Sequence, residues 1–265
     1  WWTQYSVSPL LSVTTGRFIL PYSRQFYTHP GNLLFTDLSA PDYAFNLPRA
    51  IGAMASGSKS KISYGVGIVN GVKALDGAPG ESNSPGDELS FFGRVEVAIL
   101  EPYGYMESTA NTAEKPALSV GLAAARNEID HESGFHNVKV GDKTNNLTAD
   151  AGFRYLELTV QGAYYFRTKD PLEADVKLES ANDFGFYGQA GYQIIPKRLE
   201  LAARYALVDF EYVSKTMEYT GGVNYYLSGH NLKVQVDYSL INKEIDGKTG
   251  STNDHQVRAQ TQILF

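Results

Sequence analysis

From Arg198 to Asp209 apolar and polar positions alternate strictly. Leu199, Leu201, Ala203, Tyr205 and Leu207 fall on one side of an extended chain, and Arg198, Glu200, Ala202 and Arg204 on the other, because successive side chains of a strand point to opposite faces. A helix would smear those charges through its apolar face. The unit runs for about ten residues, the length a tilted strand needs to cross the hydrocarbon of a bilayer. The same period-two pattern predicts strands over Leu11–Leu20, Arg49–Ser56, Lys61–Asn70, Ser90–Leu100, Ala117–Asn127, Leu147–Tyr155, Leu156–Arg167, Asp183–Ile195, Thr216–Leu227, Asn231–Asn242 and Asp254–Phe265. The aromatic start Trp1–Ser6 reads as the remnant of one more.

The connections alternate in length. They are short at 57–60, 155–157, 196–197 and 228–230, and longer at 21–48, 71–88, 130–146, 168–182 and 243–253. This is the hairpin plan of an up-and-down barrel, with tight turns at one end and long loops at the other. Glu101–Pro116 breaks the rule on the short side, and Glu211–Lys215 is brief for a long loop. In the longest connection Pro21, Pro30, Pro41 and Pro48, with Gly31, exclude regular sheet. A connection of that length without periodicity either carries function or is disordered, and its hydrophobes Leu33, Leu34, Phe35, Leu38, Tyr43 and Phe45 call for something to pack against.

Composition narrows the classes. No run of eighteen or more apolar residues occurs, which removes a transmembrane helix; a barrel survives that test, because only every second residue must face lipid. The chain opens at Trp1-Trp2 with no signal peptide and no initiator Met, which reads as a processed or truncated start. Eighteen Tyr, 13 Phe and 25 Gly against 3 Met favour strands and turns. Cys is absent, which removes disulfides, thiolate catalysis and Cys-ligated metals. A net charge of −6 argues against a nucleic-acid partner. The soluble alternative is a β-sandwich, propeller or lectin-like fold, in which the charged strand faces are solvated surface. Strand length, Tyr-rich strand ends and the terminal Phe265, in phase with Ile263, Thr261, Ala259 and Val257, favour the barrel.

A family resemblance follows from motifs in collinear order over nearly the whole chain. Gly16-Arg17-Phe18-Ile19-Leu20-Pro21-Tyr22, Arg49-Ala50-Ile51-Gly52, Tyr64-Gly65-Val66-Gly67-Ile68-Val69-Asn70-Gly71 and Gly93-Arg94-Val95 are followed by Gly188-Gln189-Ala190-Gly191-Tyr192, Leu199-Glu200-Leu201-Ala202-Ala203-Arg204-Tyr205 and Gly222-Val223-Asn224-Tyr225-Tyr226-Leu227. Gly229-His230-Asn231 and Lys233 complete the series. Together they resemble the phosphate-selective porin O and P family. The resemblance implies an all-β transmembrane barrel of about sixteen antiparallel strands, a bacterial outer-membrane location, a homotrimer, and recognition of Phe265 by the insertion machinery. About thirteen strands are represented here, so about three N-terminal strands are expected to be missing from a single 1–265 barrel domain, since such barrels close with an even number. On this count Pro21–Pro48 is the third external loop, the segment 21–48 that in porins folds inward as a constriction.

Function then rests on lumen chemistry, because charges around a water-filled channel set its ion preference. The inward strand charges are Arg94, Arg154, Arg167, Arg198, Arg204, Lys233 and Arg258 against Glu96, Asp150, Glu157, Glu200, Glu218 and Asp237. They nearly cancel. One reading is cross-strand ion pairing along the wall; the other is a transverse field at the constriction, with Arg24, Arg49 or His29 facing Asp37 or Asp42. There is no ladder of basic residues to carry phosphate selectivity. No Gly-x-Ser-x-Gly, His-Glu-x-x-His or phosphate-loop motif occurs, and neither a cofactor nor a metal is expected. His131, Glu132 and His136 lack a third ligand at diagnostic spacing, and Asp76, Glu81, Asp87 and Glu88 do not match a calcium loop. The expected function is a porin passing ions and small polar solutes, with anions such as phosphate among those the resemblance implies; the alternatives are a barrel scaffold or sheath for another envelope protein, and a barrel hydrolase.

Overall fold

The computed structural model describes residues 1–70, 89–108, 114–132, 139–171, 180–245 and 251–264, with the backbone course alone for 128–132, 139–142 and 171. The predictions at Asp76, Glu81, Asp87, Glu88, His136 and Phe265, and at the side chains of His131 and Glu132, lie outside the described residues.

Thirteen strands follow one another in the sheet in chain order, all antiparallel. They are β1 (Trp2–Ser8), β2 (Leu11–Ile19), β3 (Arg49–Lys59), β4 (Ile62–Asn70), β5 (Leu89–Ala98), β6 (Ala117–Glu132) and β7 (Lys139–Tyr155), then β8 (Leu158–Pro171), β9 (Ala181–Ile195), β10 (Leu199–Phe210), β11 (Ser214–Ser228), β12 (Leu232–Ile245) and β13 (Ser251–Ile263). This is the wall of an up-and-down transmembrane barrel. It is not closed: β1 and β13 are its two edges, and no ladder joins them among the described residues. At the short-turn end Ser60, Leu156, Lys197 and Gly229 take positive φ of 56, 51, 64 and 53°, the left-handed conformation that tight hairpin turns demand.

β6 and β7 extend beyond the predicted ends at Asn127 and Leu147, with the ladder continuing from Arg126↔Asn145 to Glu132↔Lys139. Beyond the bilayer both faces of a strand are wet, so the backbone ladder continues without the apolar alternation that reveals it.

The two faces differ as the alternation requires. On β10, Leu201 is 46% exposed and Arg204 only 4%, and Val120, Leu122, Val160, Val223 and Val236 are exposed on the same outer side. The inner side holds the core. Phe18, Leu20, Tyr22, Phe45, Leu47, Met54, Phe92, Tyr165, Tyr187 and Val208 form one buried cluster, in which Tyr22, Phe45 and Leu47 of the 21–48 connection pack on residues of the wall.

Candidate functional site

The 21–48 connection folds into the lumen. It consists of α1 (Arg24–Tyr27), a 3-10 turn (Pro30–Asn32) and α2 (Ala40–Phe45). Ser23 starts α1 by accepting from the Phe26 N–H, His29 caps the 3-10 turn by accepting from the Gly31 N–H, and Pro30 and Pro41 occupy first-turn positions that need no donor. The segment descends through the whole depth of the barrel. The Gly31 carbonyl meets His230 and Gln262 at the short-turn end, and Ala44 returns to Arg167 near the long loops.

The exceptional connection after β5 enters from the opposite end, and Tyr103, Glu107 and Ser108 are buried against the first segment. Glu107 is the junction. It accepts from Gln25 Nε2 at 3.1 Å, Gln161 Nε2 at 2.8 Å and the Leu34 N–H at 2.9 Å, while its own N–H donates to the Asn32 carbonyl at 3.0 Å. Ser108 and Tyr226 donate to Glu200 at 3.1 and 2.5 Å.

The wall is shaped to receive both segments. A Cβ at Gly152 would lie 2.5 Å from the Tyr103 ring, and one at Gly185 would lie 2.7 Å from Phe45. Glycine at these inward strand positions is what lets an aromatic ring rest on backbone.

Four charges meet at mid-depth. Arg24 donates to Asp150 Oδ1 at 2.7 Å and pairs with Glu96 at 2.8 Å, and Arg94 holds Asp150 at 2.6 Å and Glu96 at 3.1 Å. Arg24 also lies 5.5 and 5.4 Å from the Tyr103 and Tyr105 ring centroids. Burial pushes both phenols up to about 12, so they remain neutral donors. Elsewhere Arg167 pairs with Asp183 at 2.8 Å, Arg204 with Glu218 at 2.7 Å, and Arg258 with Asp37 at 3.3 Å and Asp237 at 3.8 Å. Asp237 further accepts from Thr36 Oγ1 at 2.6 Å. Lys233, fully buried, donates to the Leu33 carbonyl at 3.0 Å, and Arg154 donates to the Tyr103 carbonyl at 3.1 Å.

The transverse field predicted at the constriction is not formed. Arg24 faces Asp150 and Glu96 instead of Asp37 or Asp42. His29 is exposed, its ring occupied in capping. Arg49 is the first residue of β3 and shares the outward face of Ile51, because Ala50 between them is the buried one. Asp42 takes hydrogen bonds from Ser23 and from Tyr165, the latter at 2.8 Å. Burial raises its carboxyl to about 7 even though both bonds pull it down. Two residues assigned to the wall sit at its rim: Glu157 in the β7–β8 turn and Arg198, exposed, in the β9–β10 turn. His230, between β11 and β12, is lowered to about 4 by burial and then by Lys233, so it is a neutral donor to Gly31. No group of three or more His, Asp or Glu fit to hold a metal occurs among the described residues.

The inward segments lie mainly against β5–β13, and toward the long loops the inward face of β2–β5 is buried as well, with Phe18, Ala50, Val69 and Phe92 in the core beside Leu20, Tyr22 and Leu47. Toward the short turns of β2–β5 a cavity of about 300 Å³ remains. Its lining includes Ser12, Ser56, Ser58 and Ser63 on one side and Tyr27 and Tyr105 on the other, with Arg94 and Glu96 at its base.

Solved structures with this architecture include an anion-selective porin from Comamonas acidovorans, 14% identical, with a TM-score of 0.59 over 96% of this chain and 73% of that one. OmpT, an outer membrane protein of Vibrio cholerae, is 11% identical, with a TM-score of 0.58 over 94% of this chain and 75% of that one; its trimer form is 10% identical, with a TM-score of 0.55 over 94% and 76%. No curated protein sequence matches the chain. Residues 2–265 match the family described as phosphate-selective porin O and P. With lipid-facing strands outside and an inward-folded loop inside, the chain belongs to that family of porins of the bacterial outer membrane.

Proposed function

We propose that this porin passes small polar solutes and ions passively and with weak charge preference, past the short-turn end of the inward face of β2–β5. The observation that carries the reading is the division of the lumen: charges facing the inward segments are consumed in ion pairs, while the residual cavity presents the hydroxyls of Ser12, Ser56, Ser58 and Ser63 among apolar and backbone surface. A hydroxyl-lined passage offers both donors and acceptors and favours neither sign of ion. Segment 21–48 acts as the constriction, with Glu107 holding it from below.

The test is planar-bilayer conductance. Ohmic steps with a reversal potential near zero in a salt gradient support this reading, and a silent protein supports a sheath or scaffold. A second reading, anion preference, is favoured by Arg154, which pairs with no carboxylate among the described side chains, and by Lys233 near the same end. It predicts a reversal potential displaced toward that of the anion.

The same proposal makes the protein a channel without catalytic activity; turnover of lipid or peptide substrates by purified protein would overturn that part. Assembly as a homotrimer fits the exposed apolar face and the trimer form of OmpT, and sedimentation in detergent reads it directly. The alternating end of β13 supports recognition by the insertion machinery through Phe265, tested by deleting that residue and measuring insertion.

A further inference from the structure

The outer face carries an aromatic girdle toward its long-loop end. Ring centroids lie 6.5 Å apart for Tyr164–Phe184, 5.9 Å for Phe186–Tyr205, 5.0 Å for Tyr205–Tyr219 and 6.0 Å for Tyr238–His255. Running from β8 to β13, it is interrupted over β6 and β7, with Phe91 of β5 on the far side of the gap. There the register sets Gly93 beside Ala124, Ala124 beside Leu147, and Leu147 beside Phe166. Two adjacent strands thus present almost no side chain, and a cavity of about 490 Å³ opens between Phe91, Leu147 and Phe166. That volume lies within the roughly 300–1,000 Å³ of pockets that hold small ligands. Packing does not require the glycine: a Cβ at Gly93 would have only the Gly65 carbonyl oxygen near it, at 3.9 Å.

The next row toward the long loops reads Phe91, Arg126, Asn145 and Thr168. Arg126 is exposed on the same outer face as Leu122 and Ala124, and it makes no ion pair among the described side chains. A guanidinium at the upper rim of an apolar band needs a counter-charge from its surroundings. Its planar fork suits a phosphate, and the Asn145 amide beside it, which donates one hydrogen bond to Thr168 Oγ1 at 3.1 Å, has a second N–H to give.

We propose that this notch binds one phosphorylated lipid of the leaflet on the long-loop side. An acyl chain lies over Gly93 and Ala124, and the phosphate rests on Arg126. The wall of a second copy is the poorer occupant. It would bury Arg126 against an apolar face, and an outward carboxylate of that copy such as Asp209 already has Lys215 at 3.7 Å. The inference is independent of the channel's selectivity, because it concerns the outer surface.

Native mass spectrometry of the purified, delipidated protein in non-ionic detergent, with added diphosphoryl lipid A, tests it. One lipid is expected to be retained by the wild type and by Arg126→Lys. Retention is expected to weaken about tenfold in Arg126→Ala, as loss of a charge-assisted contact implies, and likewise in Gly93→Leu, which fills the gap without a clash. Dephosphorylated lipid A serves as the control and should bind the wild type no better than Arg126→Ala. Both substitutions point outward, and the heat-modifiable mobility of the folded barrel checks that they fold. Equal retention by all variants overturns the proposal. So does a wild-type oligomer that holds no lipid and dissociates on Gly93→Leu, which assigns the notch to a second copy.

Discussion

The two halves of the lumen obey different rules. Against β6–β12 the inward segments fill the space: Arg24, Glu107, Glu200 and Lys233 are almost wholly buried, and each of these four meets a partner from another part of the chain. At the short-turn end of β2–β5, Ser12, Ser56, Ser58 and Ser63 face a cavity that persists. An Arg on the first side is therefore a structural tie, while a Ser on the second faces open space. Inward direction alone does not make a residue pore-lining; what stands opposite it decides.

Substitutions can break this comparison, and the largest effect belongs to the covered side. Arg204→Glu would place a carboxylate beside Glu218 and strip two loop carbonyls, those of Asp37 and Leu38, of their donor. A loss of about 3–5 kcal/mol in the docked state is expected, read as larger conductance and new protease cleavage within 21–48. The sequence pattern had assigned Arg204 to water, where the same change would alter ion preference alone.

Asp42 gives a pH test of the same side. Burial holds its proton up to about 7 in the folded protein, whereas the unfolded chain loses it near pH 4. Between those values the folded state binds the extra proton, so its contribution is full below about pH 4 and declines as pH rises toward about 7. Docking of the segment should weaken by about 3 kcal/mol between about pH 5 and about pH 8, measured by protease sensitivity of the segment. Asp42→Asn should flatten the profile.

Leu201→Arg probes the outer face of the same strand that carries Arg204 inside. Near the bilayer midplane it should cost about 2–4 kcal/mol, read from urea-dependent refolding into vesicles with loop docking unchanged. Least costly is Ser56→Asp on the open side, where a stability change within about 0.5 kcal/mol should accompany a clear shift of reversal potential toward cations. A silent Ser56→Asp would place the passage elsewhere.

Much of the wall was legible in the sequence because alternation is dictated by the bilayer itself. Leu199 to Leu207 against Glu200 and Arg204 could have no other sheet arrangement, and all thirteen strands fall where the pattern or the aromatic start placed them. Strand ends were lost where the polar extensions of β6 and β7 leave the membrane. The face of Arg49 could be read from Ile51 two residues on, had its strand been followed back from that residue.

The site was less legible, because its partners come from distant parts of the chain. Nothing near Arg24 points to Asp150, and nothing near Glu200 points to Ser108. Two signals existed. The connection Glu101–Pro116 was too long for a tight turn, and it carries Tyr103, Tyr105, Glu107 and Ser108, none of which alternation could flag. Glycines at inward strand positions such as Gly152 and Gly185 marked where rings would press on backbone.

The anchors of segment 21–48 also set an order of assembly. Its contacts reach Asp150, Glu218, Asp237 and finally Gln262, whose Nε2 meets the Gly31 carbonyl at 3.0 Å across 231 residues of chain. Adjacent hairpins can zip as they emerge, since their contacts are local, but these distant pairings form only when β13 is in place. The newborn barrel is therefore wide before it is narrow, and the seating of segment 21–48 waits for a strand synthesised 231 residues after it.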